Sequence, residues 1–236
     1  SLGNISNKGI ELLVKGEIMR TADFAWEASV NYTNNTSEVV ATNDTGGNIS
    51  MDEPRSRNLR VTHIVGEKYG ALFGSSYVRD ASGSIVHEMV NGIPIPKIGA
   101  RKILGFGVAP TSIGFGSSFR YKDFNASFLI EGKSGGQIYS GTNAFLIRNG
   151  HHKKTVPAGG REAGFVPTGV MEDGSTVTTS IPAAQQEDYY RRTFSIAEEG
   201  IQDSDYMRLR QLSIGYNIPS NKSVSYTHLR AHETIP

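Results

Sequence analysis

The stretch Ile113-Gly114-Phe115-Gly116-Ser117-Ser118-Phe119-Arg120-Tyr121-Lys122-Asp123-Phe124-Asn125-Ala126-Ser127-Phe128-Leu129-Ile130-Glu131 repeats with a period of two. Ile113, Phe115, Ser117, Phe119 and Tyr121 share one parity, and Gly114, Gly116, Ser118 and Arg120 share the other. Lys122-Asp123 supplies a tight turn. Phe124, Ala126, Phe128 and Ile130 then alternate with Asn125, Ser127, Leu129 and Glu131. Successive strand side chains face opposite sides, so this is a hairpin with one apolar face and one small or polar face.

Upstream, Ile10, Leu12, Val14 and Ile18 alternate with Glu11, Lys15 and Glu17, Leu13 being the exception. After a short connection at Met19-Arg20-Thr21-Ala22-Asp23, the residues Phe24, Trp26, Ala28, Val30 and Tyr32 oppose Ala25, Glu27, Ser29 and Asn31. Downstream, residues 206–218 form a fifth strand whose parity slips. Met207 and Leu209 fall on one face, and Leu212, Ile214 and Tyr216 on the other. The slip predicts a bulge, or a strand that leaves a membrane partway. No amphipathic helical stripe is read anywhere in the chain.

Strands of about 9 to 11 residues match a tilted crossing of a bilayer. The connections inside the hairpins are short, whereas those between them, Asn34–Thr111 and Lys133–Asp205, are very long. Short turns at one end and long loops at the other is the asymmetry of outer-membrane barrels. Phe24, Tyr32, Tyr121 and Tyr216 fall near strand ends on the apolar parity, where a barrel carries its aromatic girdle. The expected fold is all-β: antiparallel strands of a large transmembrane β-barrel, present in part, with long extracellular loops. A soluble or surface-exposed all-β glycan-binding module is the alternative, with the same aromatics packing the core of a sandwich.

Composition agrees with either. Hydrophobic residues at 37% are few for a packed globule, and 27 glycines in 236 residues suit many turns. A net charge of +1 with no basic stripe argues against a nucleic-acid partner. The absence of cysteine removes thiolate catalysis and Cys-type zinc sites together. No apolar run is long enough for a transmembrane helix, and no signal peptide opens the sequence, as expected if Ser1 is an internal cut.

Six motifs in order then resemble the SusC/RagA family of TonB-dependent transporters. They are Asn7-Lys8-Gly9-Ile10-Glu11-Leu12; Trp26 with Asn31 and Val39; Gly70-Ala71-Leu72-Phe73-Gly74 with Tyr77-Val78-Arg79-Asp80-Ala81-Ser82-Gly83; Gly92-Ile93-Pro94 with Leu104-Gly105 and Pro110; Gly135-Gly136-Gln137-Ile138-Tyr139; and the run from Asp203 through Tyr206, Leu209, Leu212, Gly215 and Tyr216 to Pro219. The resemblance implies that residues 1–219 are the C-terminal part of such a barrel, in the outer membrane of a Gram-negative, Bacteroidetes-like cell. It implies import of oligosaccharides or peptides, a SusD/RagB-like surface lipoprotein as partner, and TonB acting through an N-terminal part outside this chain. The family's last strands after Pro219 are not found. Residues 220–236 are expected to be a non-native or disordered tail, since residues 225–236 resemble a translated sequencing adapter; the same codons read from genomic DNA would refute this.

Import breaks no bond, so no enzyme activity and no cofactor are expected. His228 and His232 have a metal-binding spacing without the glutamate of a zinc protease. His151-His152-Lys153-Lys154 reads as a metal or anion patch, or as a solvated loop. The Asp52-Glu53 and Glu187-Asp188 pairs read as surface charge, because glycosidase carboxylates need a fixed separation across a bond. Asp80 lacks the acidic spacing of a calcium hand and reads as a turn fixed by its own side chain, with Gly83 at positive φ. No metal site is assigned. Substrate contact is expected from the long loops: Tyr139, Tyr189 and Tyr190 stacking on sugar rings, with Gln137, Asn143 and Arg148 as polar partners.

Overall fold

A computed structural model describes residues 3–43, 46–51 and 58–218. The Asp52-Glu53 pair, Pro219 and the tail with His228 and His232 lie outside the described residues. In chain order the strands are β1 (Asn4–Arg20), β2 (Phe24–Ala41), β3 (Ile49–Ser50), β4 (Leu59–His63), β5 (Ala71–Tyr77), β6 (Val86–Val90), β7 (Ile93–Pro96), β8 (Ile98–Phe106), β9 (Thr111–Tyr121), β10 (Phe124–Ser134) and β11 (Gln137–Tyr139). Helix α1 (Gly141–Arg148), β12 (Val170–Met171), helix α2 (Gln186–Phe194), β13 (Ile201–Asp203) and β14 (Tyr206–Tyr216) follow. The chain is mostly β and divides into two compact units.

One unit holds Ile10–Thr33, Ser112–Gly132 and the strand from Tyr206. Its sheet has the order β1-β2-β9-β10-β14. The apolar parity is knitted across strands by rings. Trp26 stacks 5.8 Å from Phe119, Phe128 lies 5.7 Å from Phe115, and Phe124 lies 4.6 Å from Tyr216. The indole N–H of Trp26 donates to Ser117 Oγ at 2.9 Å, so its one polar atom is satisfied on that face. The other parity is polar: Lys15 pairs with Glu27 at 3.7 Å, and Arg208 and Arg210 both reach Glu131. Gly114 and Gly116 belong here because a Cβ would strike Asn31 Oδ1 at 2.1 Å and Ser29 Oγ at 2.8 Å.

Among the described residues no second layer covers the apolar parity. Ile10 is 70% exposed and Ile214 76%, while every buried hydrophobic among the described residues belongs to the other unit. A sandwich core would bury this face. Phe24, Tyr121, Phe124 and Tyr216 gather at the tight-turn end, where the backbone N–H of Lys122 donates to Asp23 O and that of Asn217 to Asp123 O, each at 2.7 Å.

The parity slip in β14 is a change of phase at Arg210 and Gln211, two successive residues on the same polar face. Arg208 and Arg210 meet Glu131 on the polar side, and Gln211 lines a polar-side groove with Ser127 and Leu129. Gly215 sits against Asn125, also polar-side, whereas Tyr216 meets Phe124. One extra residue on the polar side is what a bulge produces. It returns Leu212, Ile214 and Tyr216 to the face of Met207 and Leu209.

Two expectations need correction. β1 and β2 have 17 and 18 residues rather than 9 to 11, because ladder pairing carries β2 through the polar run from Thr33 to Glu38. The strands β9, β10 and β14 have 11 residues each, as expected. The long connections, expected as loops, fold: the described parts of Asn34–Thr111 and Lys133–Asp205, with residues 3–9, form the second compact unit.

That second unit contains the antiparallel sheet β3-β4-β5-β8, the three-stranded sheet β12-β6-β7 and the pair β11-β13. Leu59, Leu72 and Ala197 centre one core, and Ile93, Ile95 and Ile181 another. β5 is buried along six of its seven residues and shows no alternation. β7 is Ile93-Pro94-Ile95-Pro96, its prolines tolerated at a sheet edge. Helix α2 carries no apolar stripe either: its buried face is Gln186, Tyr190 and Thr193 rather than oil.

Candidate functional site

Asp80 closes its turn as the spacing suggests. Its Oδ1 accepts from Ser82 N at 2.9 Å, Ser82 Oγ at 2.7 Å and Ser84 N at 2.9 Å, with Gly83 at φ +86°. The Ser82 hydroxyl, with backbone N–H groups behind it, holds the Asp80 carboxyl below its usual range.

The functional candidates converge elsewhere in the same unit, around α1 and α2. Ser140 caps α1 by accepting from Asn143 N at 3.4 Å, and Ala144 and Ile147 turn inward. The helix stops at Asn149-Gly150, with Gly150 at φ +70°. In α2, Glu187 and Asp188 occupy the first turn and Arg191 and Arg192 the last, complementing the helix dipole. The helices meet at Phe145 and Phe194, whose rings are 5.0 Å apart, and the Arg148 guanidinium lies 5.1 Å over Phe194.

A cleft of about 350 Å³ opens here, lined by Arg148, Thr155, Arg161, Gln186, Glu187 and Tyr190 among others. Several lining groups are already engaged. The Gln186 amide donates to Ala163 O at 2.6 Å, the Thr155 hydroxyl to His152 O at 2.6 Å, and Glu187 pairs with Arg191 at 2.7 Å. Arg161 donates through Nη1 to Gly150 O, closing the loop between them. Burial lifts the Tyr190 phenol above its usual pKa, with the positive charge of Arg161 pulling the other way.

Of the six expected contact residues, Arg148 and Tyr190 line this cleft together. Tyr189 stands on the other side of α2, edge-on to Phe165 at 5.1 Å and stacked 6.4 Å from His87. Asn143 is half-buried in the first turn of α1. Gln137 accepts from Phe106 N at 2.9 Å and ties β11 to β8. Tyr139 packs into the Leu59 core with a buried hydroxyl lacking a hydrogen-bond partner. His152 caps the turn at Lys153–Thr155, and Lys154 pairs with Glu199 at 3.2 Å. Among the described residues no cluster of His, Asp and Glu could hold a metal.

Two features carried no reading in the sequence. Glu198 and Glu199 form a node: Tyr77 N and Arg79 donate to Glu198 at 3.0 and 2.8 Å, and the Tyr77 hydroxyl to Glu199 at 3.0 Å. No local spacing marks that adjacent pair. A second cleft, about 380 Å³, includes Asn7, Asn35, Lys68, Tyr69, Phe106 and Pro110 in its lining. Its aromatic residues lie in or beside the glycine motifs at Gly70 and Leu104-Gly105, which is the signal that could have found it.

No model of a protein family matches the chain. TonB-dependent receptor P3 of Formosa agariphila is 25% identical over 242 residues, covering 94% of this chain and 22% of that protein. TonB-dependent receptor SusC of Bacteroides thetaiotaomicron is 23% identical, over 92% of this chain and 21% of its own length. The chain therefore spans between a fifth and a quarter of these relatives. Among solved structures, the RagAB peptide importer in its closed-closed state superposes with a TM-score of 0.59 at 17% identity, over 93% of this chain and 24% of that one. The open-open state gives 0.57 at 17% identity, covering 93% and 23%. That likeness establishes the fold, and the SusC/RagA resemblance read from the motifs extends over nearly the whole chain.

Proposed function

We propose that this chain is part of an outer-membrane TonB-dependent transporter that imports oligosaccharides or peptides together with a SusD-like surface lipoprotein. The observation that carries the reading is the five-stranded sheet with an exposed apolar face, a polar opposite face and aromatics at its tight-turn end. In lipid such a face needs no second protein layer, and only a closed barrel satisfies every strand edge there. The rest of the barrel, the plug and the TonB contact come from chain outside these residues. Tight turns belong on the periplasmic side and the two long connections outside, as in barrels generally.

Cargo meets the folded connections first. Arg148 and Tyr190 contact it directly, while Gln137, Tyr139, Asn143 and Tyr189 shape the surrounding walls. No bond is broken in passage, so the chain acts as a transporter and not as an enzyme. The test is fractionation of cells carrying the full-length receptor, with uptake measured after deletion of the receptor or of the adjacent lipoprotein. A receptor recovered from the soluble fraction would refute the reading. Uptake lost with the receptor and reduced without the lipoprotein supports it.

A further inference from the structure

We infer that the α1–α2 cleft binds the carboxylate of an acidic ligand, with Arg148 and Arg161 as its cationic contacts and the Tyr190 ring as its rigid wall. The loop that frames it, residues 148–161, is Arg-Asn-Gly-His-His-Lys-Lys-Thr-Val-Pro-Ala-Gly-Gly-Arg, with two arginines, two lysines and two histidines; Glu162 follows it, and Lys154 is paired with Glu199. Glu187, the carboxylate in the lining, is held by Arg191. Gln186 donates from its amide to Ala163 O, and Thr155 its hydroxyl to His152 O. Beside the neutral side chains of Asn149 and Tyr190, the cleft still offers guanidinium N–H. Among the described residues neither Arg148 nor Arg161 has a carboxylate partner.

Arg148 is also preorganised. Its guanidinium lies over Phe194, so less side-chain freedom is lost when a planar acid docks. A guanidinium matches a carboxylate with two parallel hydrogen bonds, which neutral cargo cannot reproduce. The volume of about 350 Å³ is at the small end for ligand sites, room for one sugar ring or a short peptide end. A uronic-acid unit and a peptide C-terminus supply the same chemistry. The inference rests on the transporter reading only in taking the ligand as cargo.

The test uses the full-length receptor in detergent and isothermal titration with four probes: tetragalacturonate, its methyl ester, tetraalanine and tetraalanine amide. At least one acid is expected to bind about tenfold tighter than its neutral partner, with the advantage shrinking in salt. Arg148→Gln should remove that advantage while leaving the melting temperature unchanged. Because Arg161 also closes the loop onto Gly150, Arg161→Lys, which keeps the charge, is paired with Arg161→Gln, and only the latter should lose it. Binding of tetragalacturonate alone assigns the sugar source, and of tetraalanine alone the peptide source. Equal binding of acid and neutral probes, no binding of either acid at millimolar concentration, or unchanged affinity in Arg148→Gln would overturn the inference. A receptor found outside the outer membrane would remove the transporter reading and leave this result standing; import of a neutral cargo without acid binding would do the reverse.

Discussion

At the scale of single residues, His87 is the position most at odds with its surroundings. It is 1% exposed, and neither ring nitrogen makes a hydrogen bond of good geometry, although the backbone at Ile85 and Val170 lies near enough to favour the charged ring in part. Burial pushes its pKa below the ordinary 6.5, so the folded form keeps it neutral while an unfolded chain would take up a proton. Stability is therefore full above about pH 6.5 and falls as the pH drops below it, by about 1.4 kcal/mol per unit until the folded form also protonates. Protection factors over residues 86–96, taken relative to intrinsic exchange at each pH, should fall between about pH 7 and pH 5, and His87→Leu should flatten that change, since an apolar group leaves no buried nitrogen unpaired. An unaltered profile in the variant would exclude His87 as the cause. Gly169 stands against the same ring at φ +150°, where a Cβ would meet Ile85 O at 2.3 Å and His87 Cε1 at 2.7 Å. Gly169→Ala should cost roughly 1–3 kcal/mol and loosen exchange at Val86 and Val170. The Asp80 turn was legible because all its partners lie within four residues. His87, Glu198 and Glu199 were not, because what defines them arrives from distant chain.

At the scale of elements, strands that keep one face apolar were legible from parity, and elements buried through polar or two-sided contacts were not. The buried stripe of α2 is Gln186, Tyr190 and Thr193, which no hydrophobic period marks, and β5 is buried on both faces. The instructive case is β14, where the slip in the sequence marked the bulge at Arg210 and Gln211. Deleting Gln211 would only remove the bulge and restore strict alternation, but deleting Ser213 would turn Ile214 and Tyr216 to the polar side, since a one-residue shift exchanges the faces of a strand. The full-length receptor carrying the Ser213 deletion should fail to assemble, read as loss of its heat-modifiable band in the outer-membrane fraction. Ile214→Arg, a charge on the apolar face, should cost about 2–4 kcal/mol if it lies near mid-membrane, whereas Gln211→Arg on the polar face should cost little. Equal effects of the two substitutions would mean that the faces are assigned wrongly.

At the scale of the whole molecule, the sequence located both long connections but not that they fold together. Their cores are assembled from residues far apart in sequence, Leu59 with Ala197 and Ile93 with Ile181, and no local period announces such pairs. The sheet has the opposite character: its strands are legible one by one, yet nothing in it is buried enough to hold it in water. Its edge strands are β1 and β14, and the band from Ile10 to Ile214 faces outward. Unpaired edges invite pairing with other chains, and an apolar face of several strands adds a driving force for association. Residues 1–236 produced alone should therefore sediment as large aggregates in plain buffer and become disperse only with detergent above its critical micelle concentration. Replacing Leu12, Leu209 and Ile214 by serine should reduce the aggregation without detergent, because these side chains belong to the exposed face and to no core. Sedimentation velocity decides the matter: a monodisperse species in buffer alone, melting in one sharp transition, would mean that the apolar face is buried after all and would return the sandwich to contention.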